Sequence, residues 1–355
     1  MSTAMTVDEG RLHAFMGKMV DDMSAAMSGA LVLIGDKLGL YKAVAEHGPL
    51  TPKQLADRTG TKERYVREWL AAQAASGYVT YDAKSGCFSM SPEQAMALAR
   101  EDSPVFLAGA FDIIAAAYMD EPKVRQAFRT GGGVGWHEHS QCLFQGTERF
   151  FRTAYSAHLL QEWLPALDGA VARLEKGAKV ADVGCGHGAS TILMARAFPN
   201  SQFSGFDYHE GSVARARKAA EASGVANARF ETASAKAFHG SNYDLITAFD
   251  CLHDMGDPVG AARHIREALA PDGLFMLVEP FARDRLADNL NPVGRMYYSA
   301  STLICTPASL SQEVGLALGA QAGEARLRAV LEEAGFTRIR RAAETPFNLI
   351  LEARP

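Results

Sequence analysis

Cysteine is scarce in this chain. Its five residues, Cys87, Cys142, Cys185, Cys251 and Cys305, are odd in number, scattered and without a CxxC pair, which argues against a disulfide framework and favours a reducing cytoplasm. No apolar run approaches the roughly 18 to 20 residues that a bilayer span needs. The opening MSTAMTVDEG carries acids where a secretory leader carries bases, so a soluble intracellular protein is expected. Neither sign of charge is in excess: 22% of residues are charged and the formal net charge is -5, with no basic surplus of the kind nucleic acid or anionic lipid demands. Internal repeats and low-complexity tracts are absent as well. What remains is an ordinary globular composition, 48% hydrophobic over 355 residues, long enough for two domains.

Residues from about 8 to 46 read as two helices, with Leu12, Phe15, Met16 and Met19, then Leu31, Ile34, Leu38 and Tyr41, recurring at helical spacing. TPKQLADRTG starts with a capping box, Thr51 and Gln54, and closes on Gly60; a second helix runs to Gly77, and YVTYDAKSGCFSM alternates as strand, turn and strand. Helix, turn, helix and hairpin make a winged helix, a unit that reads DNA or pairs subunits. Residues 1–103 hold 11 Lys plus Arg against 13 Asp plus Glu, a net of -2, where a DNA reader needs a basic face. Dimerisation, or scaffolding of the substrate domain, is therefore expected of the segment 1–103. Helices and a glycine-rich stretch, TGGGVGWHEHS, fill 104–175 as linker and active-site cover, and its His137, His139 and Cys142 lack a fourth partner at a metal-binding spacing, so no metal is expected.

From residue 176 strands and helices alternate, and the strands read as unbroken apolar runs, which implies a parallel sheet covered on both faces. An insert, 282–324, interrupts the alternation. The final candidates RIRRAAET and FNLILEAR lie too close in sequence to pair other than antiparallel. Between the first strand and its helix stands VADVGCGHGAS, with Gly184, Gly186 and Gly188 in five positions. Such a loop turns tightly and brings bare backbone to a ligand at a helix N-terminus. Taken alone it also satisfies G-x-G-x-x-A, a dinucleotide pattern, with Asp207 placed 23 residues on to accept ribose hydroxyls. Asp182 at the strand tip argues against a pyrophosphate, which it would repel; it could orient the loop or meet a ligand ammonium.

VADVGCGHG, GFDYH, YDLITAFDCLHDMGDP and LAPDGLFMLVEP, in that order and spacing, resemble the class I S-adenosylmethionine-dependent methyltransferases over roughly 176–355. With the N-terminal domain, the chain is similar to small-molecule O-methyltransferases of plants and bacteria and to an uncharacterised actinobacterial group. The resemblance implies a Rossmann-like α/β sheet, mostly parallel with its last strand antiparallel, and S-adenosylmethionine as cofactor. It implies that Asp182, Gly184, Gly186 and Gly188 surround the methionine end, Asp207 holds the ribose, and Tyr208 or His209 lies near the adenine. Ser234 stands where the family often has an acid for the adenine amino group, and Asp250 is expected to meet the cofactor.

For a hydroxyl acceptor the protein must also remove a proton, a task that suits histidine. His253 in FDCLHDMGDP matches the family's HDW base with Met255 in the third place, and Glu279 matches the acid that orients it; the alternative is that His253 only caps its loop. His187 is expected to point outward. The acceptor side should draw on His139, Phe144, Tyr155, Arg295 and Tyr298, with Tyr155 where similar enzymes have a methionine. These residues predict O-methylation of a small, aromatic or polyketide-like hydroxyl compound by a homodimer. N-, S- or C-methylation, or a cofactor-sensing winged-helix regulator, stand as alternatives.

Overall fold

The computed structural model describes residues 7–355; the opening MSTAMT, part of the stretch read above for its acids, lies outside the described residues. The chain folds as two compact units, Met1–Ala115 and Ala116–Pro355. The expected linker 104–175 is divided between them, because the boundary falls inside the helix Ala110–Thr130.

In the first unit the helix Glu9–Lys37 starts where the Asp8 carboxylate accepts the Arg11 N–H. Gly39, in the left-handed region at φ 68°, then turns the chain into Leu40–His47. The capping box of Thr51 and Gln54 opens Pro52–Thr59, as its sequence signals, and Glu63–Ala75 follows. Strands β1 (Thr80–Asp82) and β2 (Cys87–Ser89) pair antiparallel, their turn closed by Asp82, which accepts from Lys84 N, Ser85 N and Ser85 Oγ. The core gathers Tyr41, Leu55, Trp69 and Leu70. Its two polar tips are satisfied, Tyr41 donating to Gln73 Oε1 at 2.5 Å and Trp69 Nε1 to the Leu31 carbonyl at 2.8 Å. This is the winged helix that the spacing predicted.

The second unit is built on seven strands: β3 (Lys179–Val183), β4 (Gln202–Asp207), β5 (Ala228–Thr232), β6 (Tyr243–Phe249), β7 (Leu269–Pro280), β8 (Arg338–Glu344) and β9 (Asn348–Arg354). Their order is β5-β4-β3-β6-β7-β9-β8, with β3 to β7 parallel and β9 antiparallel to both β7 and β8. Alternate residues feed two cores: Ile246, Ala248, Phe275 and Leu277 on one face, Leu245, Leu274, Met276 and Val278 on the other. Apart from Ala248, each of these side chains contributes about 1.5–3 kcal/mol by leaving water. Because β4 lies on one side of β3 and β6 on the other, the sheet reverses direction at β3. A ligand crevice opens at such a switch point, beyond the strands' carboxyl ends.

Two π turns interrupt the helices of this unit, at Tyr155–Trp163 and Ser301–Cys305. Among the described residues no single helix is long and apolar enough to cross a membrane.

Candidate active site

The loop after β3 follows from its glycines. Gly184, Gly186 and Gly188 have φ of 74°, 51° and 80°, which side chains rarely tolerate. At Gly184 a Cβ would also come within 2.6 Å of Cys251 Sγ. The loop is tied to the tip of β4: Gly184 N donates to Phe206 O, and Gly186 N to Asp207 Oδ2 at 3.0 Å. The other oxygen of Asp207 accepts His209 N at 2.8 Å. Each oxygen keeps acceptor capacity for a ligand hydroxyl. Burial pushes the Asp207 carboxyl up, and the two backbone N–H donors work against that.

Asp182 sits beneath the loop. Its carboxylate accepts from Ser190 Oγ at 2.7 Å, Thr191 Oγ1 at 2.5 Å and Thr247 Oγ1 at 2.9 Å. Burial raises it to about 6 although these hydroxyls favour the charged form. These bonds tie the end of β3 to the start of the helix Ala189–Ala197 and to β6, and Asp182 is not among the residues that line the cavity described next.

Beyond the loop lies a cavity of about 360 Å³, within the size range of small-molecule sites. Gly184, Gly186, Asp207, Tyr208, Ser234 and Asp250 line it, as do Phe144 and Tyr155. Gly188 and His209 do not. His209 instead caps the helix Glu210–Ala222 and stacks on Phe144 at 5.0 Å. His187, expected to point outward, is half-buried and lines the cavity, between two left-handed glycines. Burial and the nearby Arg215 lower its imidazole to about 4.

The sequence reading passed over Trp136, Phe249, Asp254 and Gln312, which also line the cavity. Trp136 stands in the glycine-rich stretch TGGGVGWHEHS, where its size was the available signal. Asp254 is raised to about 7, chiefly by burial. With Asp207, Asp250 and Asp254 against Lys236 and His187, the walls are rich in acid and suited to a cationic ligand.

Asp250 adopts φ 50° at the end of β6. There its carboxylate accepts from Tyr155 OH at 3.3 Å and Asn348 Nδ2 at 3.0 Å, and burial holds it well above the usual range. Three residues on, His253 is buried, and its Nδ1 lies 2.5 Å from Glu279 Oε2. Glu279 Oε1 accepts Leu252 N at 2.9 Å. Burial opposes the imidazolium, but Glu279 and Cys305 outweigh it and hold His253 well above an ordinary histidine. Nε2 faces Cys305 Sγ at 3.3 Å, and His253 is absent from the cavity walls. No spacing signalled Cys305.

The acceptor residues divide. Phe144 and Tyr155 line the cavity; Arg295 is exposed and Tyr298 half-buried, and neither reaches it. Their neighbour Tyr297 is the buried one, donating to Phe347 O at 2.9 Å. His139 is buried with Nδ1 3.0 Å from Asp120 Oδ2, while its Nε2 has no partner among the described residues. No group of three metal-type ligands occurs among the described residues.

A glycine turn at the switch point of a seven-stranded sheet with an antiparallel last pair defines the class: this is the class I methyltransferase fold. Residues 174–335 match the family described as "Methyltransferase domain", and residues 26–100 the "Rv2258c-like winged HTH domain"; the chain carries both domains. The fold is similar to that of mitomycin 7-O-methyltransferase, at 21% identity, 98% of this chain, 100% of that one and a TM-score of 0.68. It is likewise similar to human N-acetylserotonin methyltransferase in complex with S-adenosylmethionine, at 16% identity, 99% of each chain and 0.68. The ubiquinone biosynthesis O-methyltransferase of Actinobacillus pleuropneumoniae serotype 5b is 33% identical over 105 residues, which are 28% of this chain and 44% of that one. The chain thus spans less than half the length of that curated relative.

The cofactor of this fold is S-adenosylmethionine. The residues present fit it: bare backbone at Gly184 and Gly186, free acceptor capacity on Asp207, and an acid-rich wall for a sulfonium and an ammonium.

Proposed function

We propose that this chain is an S-adenosylmethionine-dependent methyltransferase that O-methylates a small, flat hydroxyl compound, with His253 as general base and Glu279 orienting it. The observation that carries the reading is the joining of three parts in one unit: a glycine and Asp207 wall, an aromatic wall of Phe144, Phe151 and Tyr155, and a buried imidazole–carboxylate pair beside them. Gly184, Gly186, Asp207, Tyr208 and Ser234 would hold the cofactor, which supplies a methyl group activated on a sulfonium. Gly188 would keep the turn and Asp182 the loop beneath it, with His209 stacked behind Phe144.

The chain's own chemistry is positioning and proton removal. Positioning accounts for much of the rate in such displacements. Since Nδ1–H donates to Glu279, Nε2 is the nitrogen left to take the acceptor's proton. Asp250 fixes the Tyr155 hydroxyl, so that its ring faces the acceptor. His139 offers an unpartnered nitrogen on the cover side, and Arg295 and Tyr298 would act at most at the rim. N-, S- or C-methylation is the second reading, favoured by the thiol that covers Nε2.

The winged helix serves dimerisation in this reading. Leu12, Phe15, Met19, Met23 and Met27 leave an exposed apolar stripe along Glu9–Lys37, which a second copy would cover. DNA is a poor partner, because Arg64 and Arg67 in the would-be recognition helix already pair with Glu68 and Glu63, each at 2.6 Å. Five free cysteines agree with a cytoplasmic setting.

The test is a screen of catechol, caffeic acid and quercetin with methyl-labelled cofactor, on wild type and His253→Ala. Label should enter at least one phenol with the wild type and fall steeply with the variant. Full activity in the variant discards proton abstraction by His253.

A further inference from the structure

His253 is held at three points, two on its imidazole and one on its backbone. Glu279 takes Nδ1, Gly319 N donates to the backbone carbonyl of His253 at 3.0 Å, and Cys305 Sγ stands 3.3 Å from Nε2. A base hydrogen-bonded through Nδ1 has one nitrogen left for an incoming proton. Here that nitrogen is covered by a thiol. Cys305 is itself buried, and Asp250, Cys251, Asp254 and Met255 on either side of His253 line the cavity while His253 does not.

The covering element is the part of this wall with a built-in alternative. Cys305 is the last residue of the π turn Ser301–Cys305, between the helices Pro292–Ala300 and Thr306–Leu310. The far helix is anchored, since Ser309 Oγ donates to Met255 O at 2.8 Å. A π turn carries one residue more than an α turn, and passing that residue along rotates a side chain by about 100° around the axis. Such a shift would take Sγ off Nε2 while Glu279, on β7, still holds Nδ1.

We propose that the Cys305 thiol and the acceptor hydroxyl compete for Nε2 of His253, so that Cys305 is a positioning residue that parks the base and swings away when acceptor binds. The inference rests on the reading of His253 as base. In the base form of His253, Nε2 accepts a hydrogen bond from either the thiol or the acceptor hydroxyl; the thiol keeps its proton, whereas the acceptor gives its proton to Nε2 as its oxygen takes the methyl group. The titratable groups facing the imidazole are Glu279 from β7, Asp250 and Asp254 from its own loop, and Cys305.

The experiment measures acceptor KM and kcat for wild type, Cys305→Ala, Cys305→Ser and His253→Ala, using whichever of the three phenols is methylated fastest. S-adenosylhomocysteine binding by calorimetry checks that each variant is folded. Removing the competitor should lower acceptor KM about fivefold in Cys305→Ala, the equivalent of one ordinary hydrogen bond. Cys305→Ser keeps a donor on Nε2 and should leave KM at or above the wild-type value. A residue that merely packs gives the reverse order, with KM raised by Ala and restored by Ser, and that result overturns the proposal. An inactive His253→Ala with unchanged KM in Cys305→Ala overturns the competition alone; a fully active His253→Ala removes the base and the competition together.

Discussion

Two buried imidazole–carboxylate pairs stand in the second unit, alike in construction and opposite in proton affinity. In each, Nδ1 meets a carboxylate, at 2.5 Å for His253 and Glu279 and 3.0 Å for His139 and Asp120. Glu279 has one other donor, the Leu252 N–H. Asp120 has three: Ser140 N and Ser140 Oγ, both at 2.8 Å, and Lys123 Nζ at 3.1 Å. These outweigh its burial and pull it to about 2. At His139 burial, helped by the Lys123 charge, prevails over Asp120 and lowers that imidazole, whereas at His253 Glu279 and Cys305 together outweigh burial. The two sites differ in what faces the imidazole besides its carboxylate, Cys305 at His253 and the Lys123 charge at His139.

The largest expected difference between the pairs is catalytic. His253→Ala should lose about 10² to 10⁴ fold in kcat, the usual contribution of a positioned base, while His139→Ala should stay within about tenfold, as for one lost substrate contact. Labelled-methyl assays on both variants compare them, and a larger loss at His139 would exchange their roles.

A smaller effect concerns pH. The base form of His253 appears only as pH rises through its raised pKa, so kcat/KM should climb with pH above the ordinary histidine value of about 6.5. Glu279→Gln removes the anion that raises it, and the rising limb should move to lower pH. A limb that stays put, or moves up, breaks the comparison on the Glu279 side.

The smallest effect is on stability. Asp120→Asn should cost about 1–3 kcal/mol, the range for disturbing a buried, charge-assisted hydrogen-bond set. Because the folded pKa of Asp120 lies below the unfolded value of about 3.9, its contribution is present above that value and fades as pH falls toward about 2. Urea unfolding at pH 7 and pH 3 should therefore show a gap between wild type and variant that narrows with acid. A gap that widens contradicts the assignment.

The legible parts of this molecule were local or periodic. The capping box at Thr51, the wing around Asp82 to Gly86 and the glycine turn each lie within a few residues, and the apolar strands announce a covered sheet. The Glu279–His253 pair was legible through the resemblance to O-methyltransferases, whose base and orienting acid match these two residues. Other features had no such signal. Asp120 meets His139 across 19 residues and a glycine-rich loop, and Cys305 meets His253 across 52. Arg295 and Tyr298 share one short helix with Tyr297, and its composition did not say which face turns inward; Tyr297 does. His187 was misread because its direction depends on the φ of two glycines, which residue type permits but does not fix.

The central claim is that the loop after β3 and Asp207 form one wall of an S-adenosyl site, and titration calorimetry with S-adenosylhomocysteine tests it most directly. Wild type should bind one equivalent per chain, and Asp207→Ala at least about tenfold more weakly, as expected when a buried carboxylate that accepts ribose hydroxyls is lost. Equal affinity in the two proteins, or no binding by the wild type, would contradict the account.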